Sequence, residues 1–147
     1  MAFPYKRVFA ALDDSSTQTE VIERATAIAK ANGAELVFGH VLNSVPFEAT
    51  GTSFNNLAEE TKTRLEASLA NELAAIEACE EIPRFELKVA IGRVADTLLE
   101  ALIIPCAPDL VICGERGFSN IKYTFIGSVS TNVIRNARCD VLVVKES

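Results

Sequence analysis

The sequence predicts an α/β domain in which helices cover both faces of a parallel sheet, the doubly wound arrangement. Short apolar runs alternate along the chain with longer segments whose apolar residues recur every three or four positions. Parallel strands joined by helices need right-handed crossovers of this length, which place helices on the faces of the sheet. The 147 residues contain no linker, repeat or low-complexity tract, so we expect one domain spanning residues 1–147.

The first half of the chain carries two predicted strands and two predicted helices. The apolar run from Val8 to Leu12 is short and unbroken, which is typical of a strand covered on both faces. Turn-forming residues from Asp13 to Ser16 end this strand, and Gly33 is a typical helix stop. In order, these elements are a strand over 7–12, a helix up to 32, a strand over 35–42, a polar loop over 43–56 and a helix over 57–79.

The second half is predicted to contain three strands and two helices. Apolar and charged residues alternate over 85–90, which indicates an edge strand with one wetter face. Farther along, Val129, Val133 and Ala137 recur at helical spacing. In order, these elements are a strand over 85–90, a turn over 91–93, a helix over 94–104 broken by Pro105, a strand over 110–113, the helix that carries those three residues, and a strand that begins at Val141 and ends at Val144.

The charge and apolar patterning of the chain exclude several classes of partner. The formal net charge is −6 and the sequence pI is near 4.8, whereas nucleic acids and anionic membranes bind clustered Lys and Arg. Every apolar run falls far short of the ~18 residues that a membrane span requires, and the N-terminus lacks the apolar core of a signal peptide. We therefore expect a cytoplasmic protein that contacts neither nucleic acid nor membrane. A small anion held by backbone amides remains compatible with this charge.

The cysteines and the single histidine argue against a zinc site. Cys79, Cys106, Cys113 and Cys139 lack CxxC spacing, and His40 is the only histidine in the chain. We expect buried free thiols in a reducing cytosol. Because His40 lies inside the second predicted strand, we expect it in the core or on a sheet face.

The most informative segment follows the fourth predicted strand. It consists of two glycine-containing groups separated by nine residues: Gly114-Glu115-Arg116-Gly117 and Gly127-Ser128. Glycines at a strand end and at a helix start let backbone N–H groups approach an anion without a Cβ in the way. Each glycine alone is more often part of a turn. Their joint placement after a buried strand and before a helix predicts a phosphate site.

The start of the last predicted helix would complete this phosphate site. Ser128 could donate from its hydroxyl, and the first-turn N–H groups of Ser128, Val129 and Ser130 lack intrahelical acceptors. For Ser130, simple first-turn polarity is an equal alternative. The chain has neither the GxxxxGK[ST] nor the GxGxxG pattern, and no defined base for phosphate hydrolysis is evident. Binding is therefore better supported than turnover.

Asp13 ends the first predicted strand at the edge where open parallel sheets bind ligands. If the first and fourth strands are neighbours, Asp13 and Gly114 face one crevice. The Asp13 carboxylate could accept from a ribose hydroxyl or help to hold a metal. The alternative is a helix N-cap or turn aspartate, for which Asp14, Ser15 and Ser16 are equal candidates. Val41 could offer a base an apolar wall or simply pack in the core. A nucleophilic hydrolase is a weak alternative because the GxSxG pattern is absent.

These residues resemble the universal stress protein family, and specifically its nucleotide-binding branch. That branch carries Gly-x-x-Gly, nine residues, then Gly-Ser or Gly-Thr, which Gly114, Gly117, Gly127 and Ser128 match in full. The resemblance covers essentially the whole chain. Residues 8–15 resemble the family's opening strand and Asp-Gly-Ser turn, 109–114 its Asp-Leu-Ile-Val-Met-Gly stretch, and 139–144 its Cys-Pro-Val-Leu-Val-Val ending.

The resemblance implies a fold, a ligand and an assembly. The fold is a single doubly wound, Rossmann-like domain with five parallel strands in the order 3-2-1-4-5 and four helices. The ligand is ATP or a related adenine nucleotide (AMP, ADP or cyclic AMP), with Mg²⁺ accompanying a triphosphate. Family members usually form homodimers through their last strands, here from Val141 to Val144, and an apolar edge left open would invite such pairing.

The resemblance also assigns roles to residues by position. Asp13 would meet the ribose, and Ala11 and Val41 would flank the adenine. The ribose and phosphates would be surrounded by Gly114, Glu115, Arg116, Gly117, Gly127, Ser128, Val129 and Ser130. No catalytic residue is implied, and the metal ligands are left unassigned.

Two residues depart from the family's pattern without removing a phosphate contact. Asp14 stands where the family often has glycine, and Asp140 replaces a common proline before the last strand. Aspartate tolerates left-handed backbone better than most residues. Three functions stay open: an adenine-nucleotide-binding stress or regulatory protein with slow or no hydrolysis, a nucleotide-free dimeric interaction module, and a weak ATPase. The glycine pattern favours the first over the second, and the missing Walker lysine favours it over the third.

Overall fold

Five parallel strands form one sheet in the order β3-β2-β1-β4-β5, as the family resemblance implied. The computed structural model describes residues 5–51, 53–115 and 128–145, except for the side chains of Asn55 and Ser128. The strands are β1 (Arg7–Leu12), β2 (Glu35–Asn43), β3 (Phe85–Gly92), β4 (Leu110–Gly114) and β5 (Asp140–Val144). β3 lies at one edge of the sheet and is half-buried along most of its length, which confirms the prediction of an edge strand.

Five helices accompany the strands in the described part of the chain. Their bounds are α1 (Gln18–Asn32), α2 (Phe54–Ser68), α3 (Ala70–Glu77), α4 (Val94–Thr97, continuing as π-helical Leu98–Ile103 and ending in Ile104–Cys106) and α5 (Ser128–Asn136). A 3-10 turn, Val45–Phe47, interrupts the loop after β2. The predicted stop of α1 is confirmed: Gly33 has φ 63°, and its N–H bonds to the carbonyls of Ala29 and Lys30.

The two faces of the sheet carry separate hydrophobic cores. Within β1, Val8, Ala10 and Leu12 belong to one core, whereas Phe9 and Ala11 belong to the other. The first core is completed by residues of α1, α2 and α3, and the second by residues of α4 and α5: Val21, Ala25, Leu65 and Ile76 in the first; Leu98, Leu102 and Val133 in the second. Helices therefore cover both faces, as the unbroken apolar strands predicted.

Several sequence-based element bounds differ from the structure by one to three residues, and three differences are larger or have a clear physical cause. The helix predicted over 57–79 is two helices, because the buried Leu69 departs from helical geometry with φ −108° and ψ 20°. β3 extends through Gly92, which pairs with Asn43, so the turn predicted over 91–93 is wrong at its first two residues. Pro105 does not end its helix, since the preceding π-helical stretch alters the hydrogen-bond ladder around a residue that lacks an N–H. Within the described ranges the helix count is therefore five rather than four.

Candidate functional site at the carboxyl edge of the sheet

The central strands β1 and β4 end side by side and bring Asp13 and Gly114 together. The two strands pair in parallel, with Val8 opposite Leu110 and Ala10 opposite Ile112. Asp13 Oδ2 lies 3.9 Å from the position that a Cβ on Gly114 would occupy. The crevice expected from the sequence is thus present at the point where the strand order reverses, the usual place for a ligand in such sheets.

The turn after β1 holds the Asp13 carboxylate in a fixed orientation. The Ser15 N–H donates to Asp13 Oδ1 at 2.9 Å. Asp14 has φ 60°, the left-handed conformation that glycine would adopt readily, and its N–H donates to Gln18 Oε1 at 2.7 Å. Thr17 is the N-cap residue of α1, with no side-chain capping bond. The alternative N-cap role for Asp13 and Asp14 is therefore wrong, whereas the alternative of a turn aspartate is confirmed for Asp13 by the bond from Ser15.

Burial shapes the acidity of this carboxyl group. Desolvation raises the pKa of Asp13 above its ordinary value, the hydrogen bonds from Ser15 oppose the rise, and the nearby Asp14 charge adds to it. An acceptor in such a partly buried position gains strength when a donor, such as a sugar hydroxyl, arrives. The group is suited to hydrogen bonding with a polar ligand.

Gly114 is required by the packing between the end of β4 and the start of α1. A Cβ at this position would overlap the hydroxyl oxygen of Thr17, a buried residue. That hydroxyl is 2.9 Å from Ser15 Oγ, so it is already engaged in a hydrogen bond. This close contact with Thr17 explains why residue 114 is a glycine, independently of any ligand. Because glycine has no side chain, backbone atoms form the bottom of the crevice at this position.

The side chains of Val129 and Ser130, at the start of α5, make contacts within the protein itself. Ser130, 1% exposed, donates from Oγ to the Gly114 carbonyl at 2.8 Å, and its Oγ lies 3.4 Å from the Glu115 carbonyl oxygen. Val129 is buried in the second core. Of these two residues, only the backbone N–H groups are left for an anion at this helix start. Glu115 is half-buried, and its N–H donates to the Val144 carbonyl at 2.8 Å.

Four of the predicted phosphate-site features fall wholly or partly outside the described residues. Arg116, Gly117 and Gly127 lie outside the described residues. For Ser128, the first residue of α5, only the backbone is described. The structure therefore positions the two flanks of the glycine segment, β4 and α5. The Ser130–Gly114 hydrogen bond joins those flanks directly.

The residues expected to flank an adenine lie on one face of the sheet. Ala11 and Val41 belong to the second core together with Val129. They are 3% and 2% exposed, so only a thin margin of either side chain is accessible. A base at this place would meet mainly the strand edge and backbone groups near these residues.

Sequence inspection placed Ser15 among the turn-forming residues but missed Thr17, the second hydroxyl residue that organises the turn. The signal was available: Asp-x-Ser-x-Thr directly after a buried strand is typical of a turn with side-chain-to-backbone bonds.

His40 lies in the core, as the sequence predicted. It is buried, and its Nδ1 lies 2.8 Å from the Leu12 carbonyl oxygen.

Across 5–51, 53–115 and 128–145, no group of three or more His, Cys, Asp or Glu side chains is arranged to hold a metal ion. Over the same residues, no helix has both the length and the apolarity needed to cross a membrane.

Comparison with known proteins shows the family. Residues 4–145 match the sequence profile of the universal stress protein family. A universal stress protein of Thermus aquaticus is 33% identical over 141 residues, which cover 96% of this chain and 99% of that protein. A putative universal stress protein of Staphylococcus aureus (strain USA300) is 27% identical over 141 residues, covering 96% of this chain and 84% of that protein.

Solved structures agree with this result. Universal stress protein UspA from Lactobacillus plantarum superposes with a TM-score of 0.78 at 16% identity, covering 97% of this chain and 99% of that one. A universal stress protein crystallised in complex with cAMP superposes with a TM-score of 0.68 at 26% identity, covering 98% and 99%. The chain belongs to the universal stress protein family.

Proposed function

We propose that this chain is a cytoplasmic stress-response or regulatory protein that binds ATP or a related adenine nucleotide and hydrolyses it slowly or not at all. The binding site is the crevice at the carboxyl ends of β1 and β4. The observation that carries the proposal is the juxtaposition of Asp13 with Gly114, two residues that are 101 positions apart in sequence and that a nucleotide would need together.

The chemistry of this crevice suits a nucleoside phosphate. Asp13 offers a fixed carboxylate for a ribose hydroxyl. Gly114 removes side-chain bulk from the strand end, and the first-turn N–H groups of α5 are donors suited to a phosphate. Charge-assisted acceptance by Asp13 and backbone donation by α5 address the sugar and the phosphates respectively.

A relative supports the ligand class. The universal stress protein in complex with cAMP is 26% identical to this chain over nearly its whole length. An adenine nucleotide therefore occupies a protein with the same fold and a related sequence. By the family assignment, Ala11 and Val41 flank the base, while Gly114, Glu115, Arg116, Gly117, Gly127, Ser128, Val129 and Ser130 surround the ribose and phosphates.

Mg²⁺ would enter with a triphosphate. In nucleotide sites magnesium keeps several waters and is held through one or two carboxylates together with the phosphates. Asp13, which lies beside Gly114, is a carboxylate that could serve in this way. The metal would neutralise phosphate charge beside the backbone donors of α5.

We further propose that the chain, as one domain over residues 1–147, forms a homodimer through β5. Among the described strands, β5 ends the sheet order and pairs with β4 alone. Val141, Leu142 and Val143 are half-buried along it, so a second copy would cover apolar surface as well as pair backbone groups. Sedimentation of the purified protein at a dimer mass tests this assembly, and a monomer mass at micromolar concentration contradicts it.

Nucleotide analysis of the purified protein tests the binding proposal. Protein prepared without added ligand is denatured, and any released nucleotide is identified; ATP, AMP and cyclic AMP are then titrated by calorimetry. We expect saturable binding of at least one of them. A Gly127→Val variant should lose it, because a branched side chain fills the phosphate space. No released nucleotide and no heat with any of the three would refute the proposal.

A further inference from the structure

An open groove of about 590 Å³ runs between α1 and α3 on the first face of the sheet. Each helix contributes one face to it, with residues three or four positions apart. These residues are Ile22, Thr26 and Lys30 from α1, and Glu72, Ile76 and Cys79 from α3 and the residues just beyond it. We call this feature the α1–α3 groove. Neither Asp13 nor Gly114 lines it, so it is distinct from the candidate nucleotide site.

The bottom of the α1–α3 groove is apolar. Ile22 and Ile76 are buried and belong to the first core. The Thr26 hydroxyl donates to the Ile22 carbonyl at 2.7 Å, and the Cys79 thiol donates to Glu81 Oε2 at 3.1 Å, so both polar groups are already bonded within the chain. Small exposed side chains complete the walls: Ala27, Ala75 and Ala78. Small side chains at a contact let a second helix approach closely.

Carboxylates outnumber cations around the α1–α3 groove. Glu23 on α1 and Glu72 on α3 are exposed, and within the described part of the chain neither has a hydrogen-bond or ion-pair partner. Lys30 and Glu81 also line the groove and carry opposite charges. Glu23 and Glu72 therefore give the groove an excess of negative charge, which a positively charged surface would complement.

We propose that the α1–α3 groove binds a basic amphipathic helix of a partner protein. The apolar side chains of that helix would lie between the two walls, and its Lys or Arg side chains would pair with Glu23 and Glu72. From Ile22 to Lys30 the wall formed by α1 rises about 12 Å, which matches about two turns of the bound helix. Two turns carry apolar residues at i, i+3 or i+4, and i+7. The inference does not depend on nucleotide binding.

A synthetic basic helix is the probe for this groove. A fluorescent peptide of leucine and lysine, about 15 residues long, is made with its leucines on one helical face. A second peptide has the same composition in an order that leaves no apolar face. We expect a saturable rise in anisotropy with the amphipathic peptide, and binding of the shuffled peptide at least about tenfold weaker, because it buries fewer leucine side chains.

A filled groove should no longer bind the peptide. Ala75→Arg places a long cation between the walls, and Ala101→Arg is its matched control at an exposed position of α4, on the other face of the sheet. Arginine is a good helix former, so both variants should fold. Ala75→Arg should weaken binding of the amphipathic peptide at least about tenfold, and Ala101→Arg should leave it unchanged.

Variants of the rim carboxylates test the charge requirement without changing side-chain size. Glu23→Gln and Glu72→Gln should each weaken binding of the amphipathic peptide about two- to fivefold. Glu59→Gln and Glu60→Gln are the controls, exposed on α2 and outside the groove. They make the same change in net charge and should leave the affinity unchanged.

Several results would overturn the proposal. These are no binding of the amphipathic peptide by the wild type, equal binding of the two peptides, or equal effects of the groove variants and their controls. A change from dimer to monomer in Ala75→Arg alone, measured by sedimentation, would assign the groove to a second copy of this chain and overturn the choice of partner. ATP titration of the same samples tests the nucleotide site separately.

Discussion

Gly114→Ala is expected to disturb the junction between β4 and α1. The added methyl would overlap the Thr17 hydroxyl oxygen, and the new Cβ would lie 3.3 Å from Thr17 Cβ. Rotation of the Thr17 side chain gives limited relief, because its hydroxyl would then leave Ser15 Oγ, now 2.9 Å away. Gly114 does not have positive φ in this structure, so the effect comes from crowding.

The magnitude follows from these contacts. Overpacking a well-filled site by one methyl group costs about 1–3 kcal/mol, and the displaced hydroxyl bond accounts for about 1 kcal/mol of that. We therefore expect Gly114→Ala to lower the free energy of unfolding by about 2 kcal/mol. Thr17→Ala removes the overlapping oxygen and should by itself cost about 1 kcal/mol through the lost bond to Ser15.

Urea denaturation of the wild type, both single variants and the double variant provides the assay. The double variant should be more stable than the sum of the single effects predicts, with a coupling of about 1 kcal/mol. Additive effects within about 0.3 kcal/mol would refute the packing explanation. The glycine would then have to be explained by its ligand alone.

Three further perturbations address the hydroxyl, carboxyl and thiol groups. Ser130→Ala removes the buried donor to the Gly114 carbonyl and should lower the free energy of unfolding by about 1–2 kcal/mol in urea. Asp13→Asn removes a carboxyl group whose pKa is raised by burial. In the wild type, the stability that comes from this raised pKa is present below the unfolded-state pKa and is lost as pH rises through the folded-state pKa. The variant should therefore gain stability relative to the wild type between about pH 3 and pH 7. Burial raises the pKa of Cys113 to about 11, so in native protein at pH 8 an aromatic disulfide reagent should modify the half-exposed Cys79 much faster.

Each of these three expectations has a result that contradicts it. A Ser130→Ala variant as stable as a Thr26→Ala control, which removes a hydroxyl bonded within its own helix, would show that the bond to β4 contributes nothing. A stability difference between Asp13→Asn and wild type that is independent of pH would contradict the pKa assignment. Native modification of Cys113 as fast as that of Cys79 would contradict its burial.

The central strands were predictable because β1 after Arg7 and β4 before Gly114 are unbroken apolar runs. β1 and β4 are almost wholly buried. Because both faces of these strands are covered, their apolar residues show neither the spacing of a helix nor the alternation of a half-exposed strand. The strand order came from the family resemblance. The break at Leu69 was not predictable, since a buried leucine fits a continuous apolar stripe equally well and backbone geometry there is set by tertiary packing.

The candidate site was predictable in position and incompletely in detail. Asp13 and Gly114 each follow a predicted strand, and the topology alone brings them together. The hydrogen bond from the Ser130 hydroxyl to the Gly114 carbonyl was not predictable from the sequence. Whether this hydroxyl donates to a ligand or to a backbone carbonyl depends on how α5 is oriented.

Titration of ATP into wild-type protein and into Asp13→Ala decides whether this crevice is a nucleotide site. Asp13 lies at the centre of the crevice, while its removal leaves both hydrophobic cores intact. We expect saturable binding of one ATP per wild-type chain and affinity at least about tenfold weaker in the variant, the loss of one hydrogen bond to a charged group. Equal affinity of the two proteins, or no binding by the wild type, would contradict the assignment.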